Sequence, residues 1–96
     1  MYATIRRYEG VTERVEELAG AMRKVASSLS RTPGFVCFVM VEAETDVLAT
    51  VGIFDDQDSL DEADRLIGIS VAQHLAELLS ERAQATTGEI ILQRGL

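Results

Sequence analysis

The chain of 96 residues has no tryptophan and no asparagine, and only one cysteine, one proline and one histidine. Each scarcity excludes something. The lone Cys37 cannot form an intrachain disulfide. With no His or basic residue beside it in sequence to favour a thiolate, it reads as a small hydrophobe in a strand. There is no Gly-rich phosphate loop, no CxxC pair and no Ser/His/Asp triad. Basic residues are few: nine Lys and Arg against sixteen Asp and Glu, a net charge of −7, with no basic block. That balance argues against nucleic acid or an anionic membrane as a partner, since both select clustered cations. No stretch approaches the roughly 18 consecutive apolar residues of a membrane span. The opening MYATIRRYEG lacks the apolar core of a signal peptide, so a cytoplasmic location is expected.

What is present is ordinary for one soluble globular domain over residues 1–96, with 47% hydrophobic and 26% charged residues. The centre of the pattern is the stretch 33–56, PGFVCFVMVEAETDVLATVGIFDD. Two β-rich runs, Phe35–Glu42 and Val47–Phe54, flank a polar turn, which predicts a hairpin. Strict alternation places Phe35, Cys37, Val39 and Val41 on one face and Val36, Phe38 and Met40 on the other. Both faces are apolar, so both need a cover.

The flanking segments supply one of the covers. Tyr2–Tyr8 reads as a first strand, with Tyr2, Thr4, Arg6 and Tyr8 on one face and Ala3, Ile5 and Arg7 on the other. Thr12 is a candidate N-cap for a helix whose apolar stripe is Val15, Leu18, Met22, Val25 and Leu29, with Arg31 in its last turn and Pro33-Gly34 as its stop. Ser59 and Glu62 fit a capping box for a second helix. Its stripe runs Leu60, Ala63, Ile67, Val71, His74 and Leu78, widened by Leu75 and Leu79, until polar residues from Ser80 to Thr87 end it. Gly88 then opens a last strand, Glu89–Arg94. The order β-α-β-β-α-β predicts an α+β, ferredoxin-like fold: a four-stranded antiparallel sheet with both helices on one face. Two single-striped helices cover one sheet face, and the simplest cover for the other is a second copy, as a two-fold homodimer.

On YATIRRYEGV at the start, TPGFVCFVMVEAETDVLATVGIFDD through the hairpin and TTGEIIL at the end, the chain resembles the dimeric α/β-barrel proteins of the antibiotic-biosynthesis-monooxygenase-like superfamily. The resemblance spans essentially the whole chain. It implies a homodimer whose two sheets close into a barrel, and a pocket between sheet and helices in each subunit. Some such proteins oxidise polyketide-like aromatics without metal or flavin; others degrade haem with an Asn on the first strand, a Trp near the third and a His on the second helix. Here the first strand carries Arg6 and Arg7, there is no Trp, and His74 alone matches. The resemblance thus implies no cofactor and no metal.

The candidate site residues follow. His74, on the apolar stripe, is an imidazole, a group whose unperturbed pKa would suit a general base for a phenolic or enolic substrate; the alternative is a structural histidine bonded to a carbonyl or Tyr. Arg6, Arg7 and Tyr8 are candidate substrate-binding residues, with ion pairing (to Glu9, Glu13 or a partner's acid) and an interface role as the alternatives. The acids Asp55, Asp56, Asp58, Asp61, Glu62 and Asp64 read as a solvated helix start, since they lack the spacing of a calcium loop. Two functions remain open: a cofactor-independent monooxygenase-type enzyme acting on a small aromatic or polyketide-like molecule, or a non-catalytic dimeric module that binds a small molecule or only associates.

Overall fold

A computed structural model describes residues 1–9, 15–44, 47–70 and 84–96. The elements are β1 (Tyr2–Glu9), α1 (Val15–Leu29), β2 (Phe35–Glu44), β3 (Val47–Phe54), α2 (Gln57–Ser70) and β4 (Gln84–Glu89). The strands form one antiparallel sheet in the order β2-β3-β1-β4. The first and third strands are central, and the fold is ferredoxin-like. No helix among the described residues is long and apolar enough to cross a membrane.

The amphipathic stripes explain why both helices share a face. Leu18, Met22, Val25 and Leu29 of α1 and Leu60, Ala63 and Ile67 of α2 are buried together against Tyr8, Leu48 and Phe54 of the sheet. Burying a Leu, Met or Phe side chain contributes about 1.5–3 kcal/mol, so these contacts outweigh the weak local propensities of the short elements. Helix α1 lies against β2, and α2 against β1 and β3.

In two places the hairpin departs from strict alternation. The β2–β3 register slips between Phe35 and Cys37 and again between Glu42 and Glu44. The first bulge leaves Val36 as the extra residue and turns Phe35 to the helix side, where it joins Phe38 and Met40 rather than Cys37. Its ring meets Phe54 edge-on, with centroids 6.0 Å apart. Just before the bulge, Gly34 has φ of +81°, and a Cβ there would collide with the Ser59 side chain. Only glycine lets the chain enter β2 so close to the start of α2.

Three expected boundaries shift. The cap of α2 is Asp56, whose Oδ1 accepts a hydrogen bond from the Ser59 N–H at 2.8 Å, so the helix begins two residues before Ser59. Glu62 pairs with Arg65 instead of closing a capping box. Arg31 lies beyond the end of α1, in the turn held by Thr32 Oγ1 donating to the Leu29 carbonyl. The last strand is Gln84–Glu89, with Gly88 inside it, paired to β1 throughout. Pairing with the central strand overrides the apolar look of Ile90–Leu92, which lie past the strand end; Ile91 and Leu92 stand in solvent. Thr12, Val71, His74, Leu75, Leu78, Leu79 and residues 45–46 of the turn expected at Ala43–Asp46 lie outside the described residues, while Ala43 and Glu44 belong to β2.

Candidate functional site

Alternation along β1 builds the site. Tyr2, Thr4, Arg6 and Tyr8 face the helices, while Ala3, Ile5 and Arg7 face away. The cross-strand register places Thr4 between Gly52 and Thr87, and Arg6 between Thr50 and Ala85. The helix-facing layer therefore has two characters. Over β2 and β3 it is largely apolar, with Phe38, Met40, Leu48 and Phe54, and the buried Thr50 is its polar member. Over β1 and β4 it carries Thr4, Arg6, Ala85 and Thr87, and β4 is exposed along its length.

Gly52 tightens the border between the two. A Cβ there would lie 3.1 Å from Phe54 and 3.3 Å from Thr4. Its absence lets the Phe54 ring and the Thr4 methyl both close over the Gly52 backbone.

That half is under-satisfied. Among the described residues, Thr4 Oγ1, Arg6 Nε and Tyr8 Oη are buried with no hydrogen-bond partner. Thr4 and Tyr8 are almost wholly buried, at 2% and 1% exposure. Buried polar atoms are nearly always paired, and each one left alone costs about 1–3 kcal/mol. Three of them on alternate residues of one strand, all on one face, make a row of hydrogen-bonding capacity with no partner among the described residues.

The charge in this row is Arg6. Its guanidinium reaches Asp64 of α2 at 3.4 Å, a long contact between side chains that are 15% and 27% exposed. It also acts on Tyr8. Burial pushes the Tyr8 hydroxyl above its ordinary pKa of 10.0, and the neighbouring Arg6 charge pulls it partly back. An Arg6 N–H also lies near enough to the hydroxyl to add to that pull, though outside full bonding geometry. Tyr8 is thus a proton-bearing donor at neutral pH, beside a permanent cation.

Arg7 is elsewhere. It lies on the outer face, exposed, donating from Nε to Glu9 at 2.9 Å. That is the ion pairing anticipated for it, and it separates Arg7 from Arg6 and Tyr8. Tyr8 itself is packed in the core, not at a surface. His74 lies outside the described residues. Thr4 and Asp64 are not singled out by motif or composition, yet signals for both exist. Thr4 shares the alternating face of Arg6, and Asp64 follows Leu60 by four residues and precedes Ile67 by three, on the border of the buried stripe. The other acids of that run are exposed, apart from this one turned toward the sheet. No group of three His, Cys, Asp or Glu that could hold a metal ion occurs among the described residues.

The outer face is apolar and open. Successive cross-strand rows are Cys37–Ile53–Ala3–Gly88 and Val39–Val51–Ile5–Thr86. Ile5, Val39 and Val41 are each close to half exposed.

No family model and no curated protein matches the sequence. Solved structures do match in three dimensions. Rv0793 from Mycobacterium tuberculosis superposes with a TM-score of 0.81 at 16% identity, covering 98% of both chains. A protein from Nitrosomonas europaea, provisionally named an antibiotic biosynthesis monooxygenase, gives 0.82 at 14% identity over 98% of this chain and 93% of its own. A mutant of SnoaB, a cofactor-independent oxygenase from Streptomyces nogalater, gives 0.76 at 18% identity over 96% and 94%. At these identities the likeness is one of fold: the chain has the architecture of these proteins over nearly its whole length.

Proposed function

We propose that this protein is an antibiotic-biosynthesis-monooxygenase-like enzyme that oxidises a small aromatic or polyketide-like molecule without a bound cofactor, in a pocket between sheet and helices. The observation that carries the reading is the row of buried, unpartnered polar atoms on Thr4, Arg6 and Tyr8. The resemblance in sequence and the shared fold with SnoaB supply the reaction class by analogy.

In this reading an enolisable substrate lays its apolar body against Phe38, Met40 and the α2 stripe and turns its oxygen toward β1. Arg6 and Tyr8 hold the charge that develops on that oxygen when the adjacent carbon loses its proton. Tyr8 does this as a donor, because its raised pKa keeps the proton on the hydroxyl. His74 is the proposed base, on the segment that follows the described part of α2. The carbanion then reacts with dioxygen. For a CH2 flanked by aromatic rings the overall change is CH2 + O2 → C=O + H2O, with dioxygen as the oxidant and no external reductant.

The test is oxygen uptake with anthrone as the probe, in protein freed of metal by chelation. Turnover in the native protein that falls at least tenfold in Arg6→Gln and in His74→Ala supports the reading. Uptake equal to that of the buffer, or unchanged in both variants, defeats it. Saturable binding of anthrone without uptake would favour the second reading, a binding module built on the same pocket.

We propose further that the protein is a homodimer closed through the outer sheet face. The outer face exposes Ile5, Val39 and Val41 around the half-buried Val51; contiguous apolar surface of this kind marks an interface, and a two-fold partner presents the same patch in return.

A further inference from the structure

We propose that the β1 site selects ligands bearing an oxyanion, and that Asp64 sets this selectivity by standing in for that oxyanion when no ligand is bound. The inference rests on the pocket reading above and adds to it a ligand class and a role for a residue that no motif marks.

Three observations converge. First, Arg6 is held among largely buried groups, and the acid that meets it among the described residues is Asp64, through one terminal nitrogen at 3.4 Å. Guanidinium–carboxylate pairs optimise at about 2.7–2.9 Å and often use two parallel bonds, so this pair is loose and satisfies only part of the donor set. Second, the remaining capacity is weighted toward donation, although the two hydroxyls can also accept. Arg6 Nε is a donor, and the Tyr8 and Thr4 hydroxyls can both donate. A ligand offering only donors, such as an amine, finds a cation and no carboxylate free of it. A carboxylate or an ionised enol supplies acceptors to Arg6 Nε and Tyr8 Oη at once. Third, Asp64 has somewhere to go. It sits on the partly exposed flank of α2, with a side chain 27% exposed, so releasing Arg6 returns its charge toward water rather than burying it alone.

The exchange is therefore one acceptor for another on a fixed cation. Asp64 keeps Arg6 from being an unpaired buried charge in the free protein, and it competes with the ligand's oxyanion for the same guanidinium. Removing the competitor should tighten anion binding and leave binding of an uncharged isostere nearly unchanged.

A matched pair of probes separates these terms: 2-naphthoate and 2-naphthamide, with the same ring system, differing in charge. Calorimetry would measure both against the native protein, Asp64→Asn, Arg6→Gln and Glu62→Gln. The last variant removes one negative charge from the same helix without touching Arg6, and so reports the effect of net charge alone. The expected result is a preference for naphthoate in the native protein, an increase of about 3- to 10-fold in naphthoate affinity in Asp64→Asn with naphthamide changed less than about twofold, and loss of the preference in Arg6→Gln. Glu62→Gln should move naphthoate binding by less than about twofold, because an exposed charge is screened. Equal tightening in Asp64→Asn and Glu62→Gln, or parallel changes for both probes, would overturn the role of Asp64. Binding of both probes with no acid preference would overturn the ligand class while leaving the pocket intact. Binding of neither would overturn the pocket and this inference with it.

Discussion

Arg6 and Arg7 are adjacent in sequence and occupy opposite faces of one sheet, in different physical settings. Arg6 lies under α2, held loosely by Asp64, and is flanked by hydroxyls that lack partners among the described residues. Arg7 is in water, next to Glu9 at 2.9 Å, in a pair whose side chains are 49% and 43% exposed. The inner face behind Arg6 is packed by helices on one half and polar on the other; the outer face around Arg7 is an aliphatic sheet with no cover from the described residues. In the proposed reading, one strand serves two purposes. Period-two geometry lets each face be composed independently, so a ligand site and an association surface can lie back to back.

The comparison can be broken most forcefully in the packed half. Phe54→Ala should cost about 3–5 kcal/mol in denaturant unfolding, because a wholly buried ring edge-on to Phe35 would leave a cavity. On the outer face the expected effect is on mass rather than on folding. Ile5→Asp with Val39→Asp should leave the circular dichroism spectrum intact while light scattering falls to the 10.5 kDa of one chain. A variant that unfolds instead would show that the outer face carries part of the core.

Tyr8→Phe probes the polar half alone. Deleting a buried hydroxyl that has no partner among the described residues should raise stability by about 1 kcal/mol, and a loss would mean that the hydroxyl is bonded in solution. The same variant has a signature in pH. The folded protein holds the Tyr8 proton more tightly than the unfolded chain, whose tyrosine ionises near 10.0. The native protein should therefore lose stability as pH rises above that value, and Tyr8→Phe should lose less. The smallest effect is expected at Arg7. Arg7→Met should shift stability by less than about 0.5 kcal/mol, since it removes only an exposed pair; a larger loss would place Arg7 in an interface.

Much of this was legible in the sequence. The α1 stripe, the split of β1 into two faces and the doubly apolar hairpin follow from periodicities of 3.6 and 2, which act locally and leave a direct trace. The displaced features depend on contacts that sequence spacing does not encode. Phe35 changes side because a bulge adds one residue, and bulges carry little signature beyond a nearby glycine. The last strand lies at Gln84–Glu89 instead of the more apolar 89–94 because pairing with β1 decides it, and the six residues that pair are mostly polar. The cap moved from Ser59 to Asp56 within a run where several residues qualify chemically. In the site, Arg6 and Tyr8 could be seen as a pair on one face, whereas the contact with Asp64 needs the distance between a strand and a helix 58 positions away.

The most direct test of the central claim, that the helix-facing side of β1 is the ligand site, is a crystal structure of the protein with 2-naphthoate. The predicted result places the carboxylate within hydrogen-bonding distance of Arg6 Nε and the Tyr8 hydroxyl, with Asp64 turned away from the guanidinium. A naphthoate bound on the outer face beside Arg7, with Arg6 still on Asp64 and the Tyr8 hydroxyl still unpartnered, would contradict it.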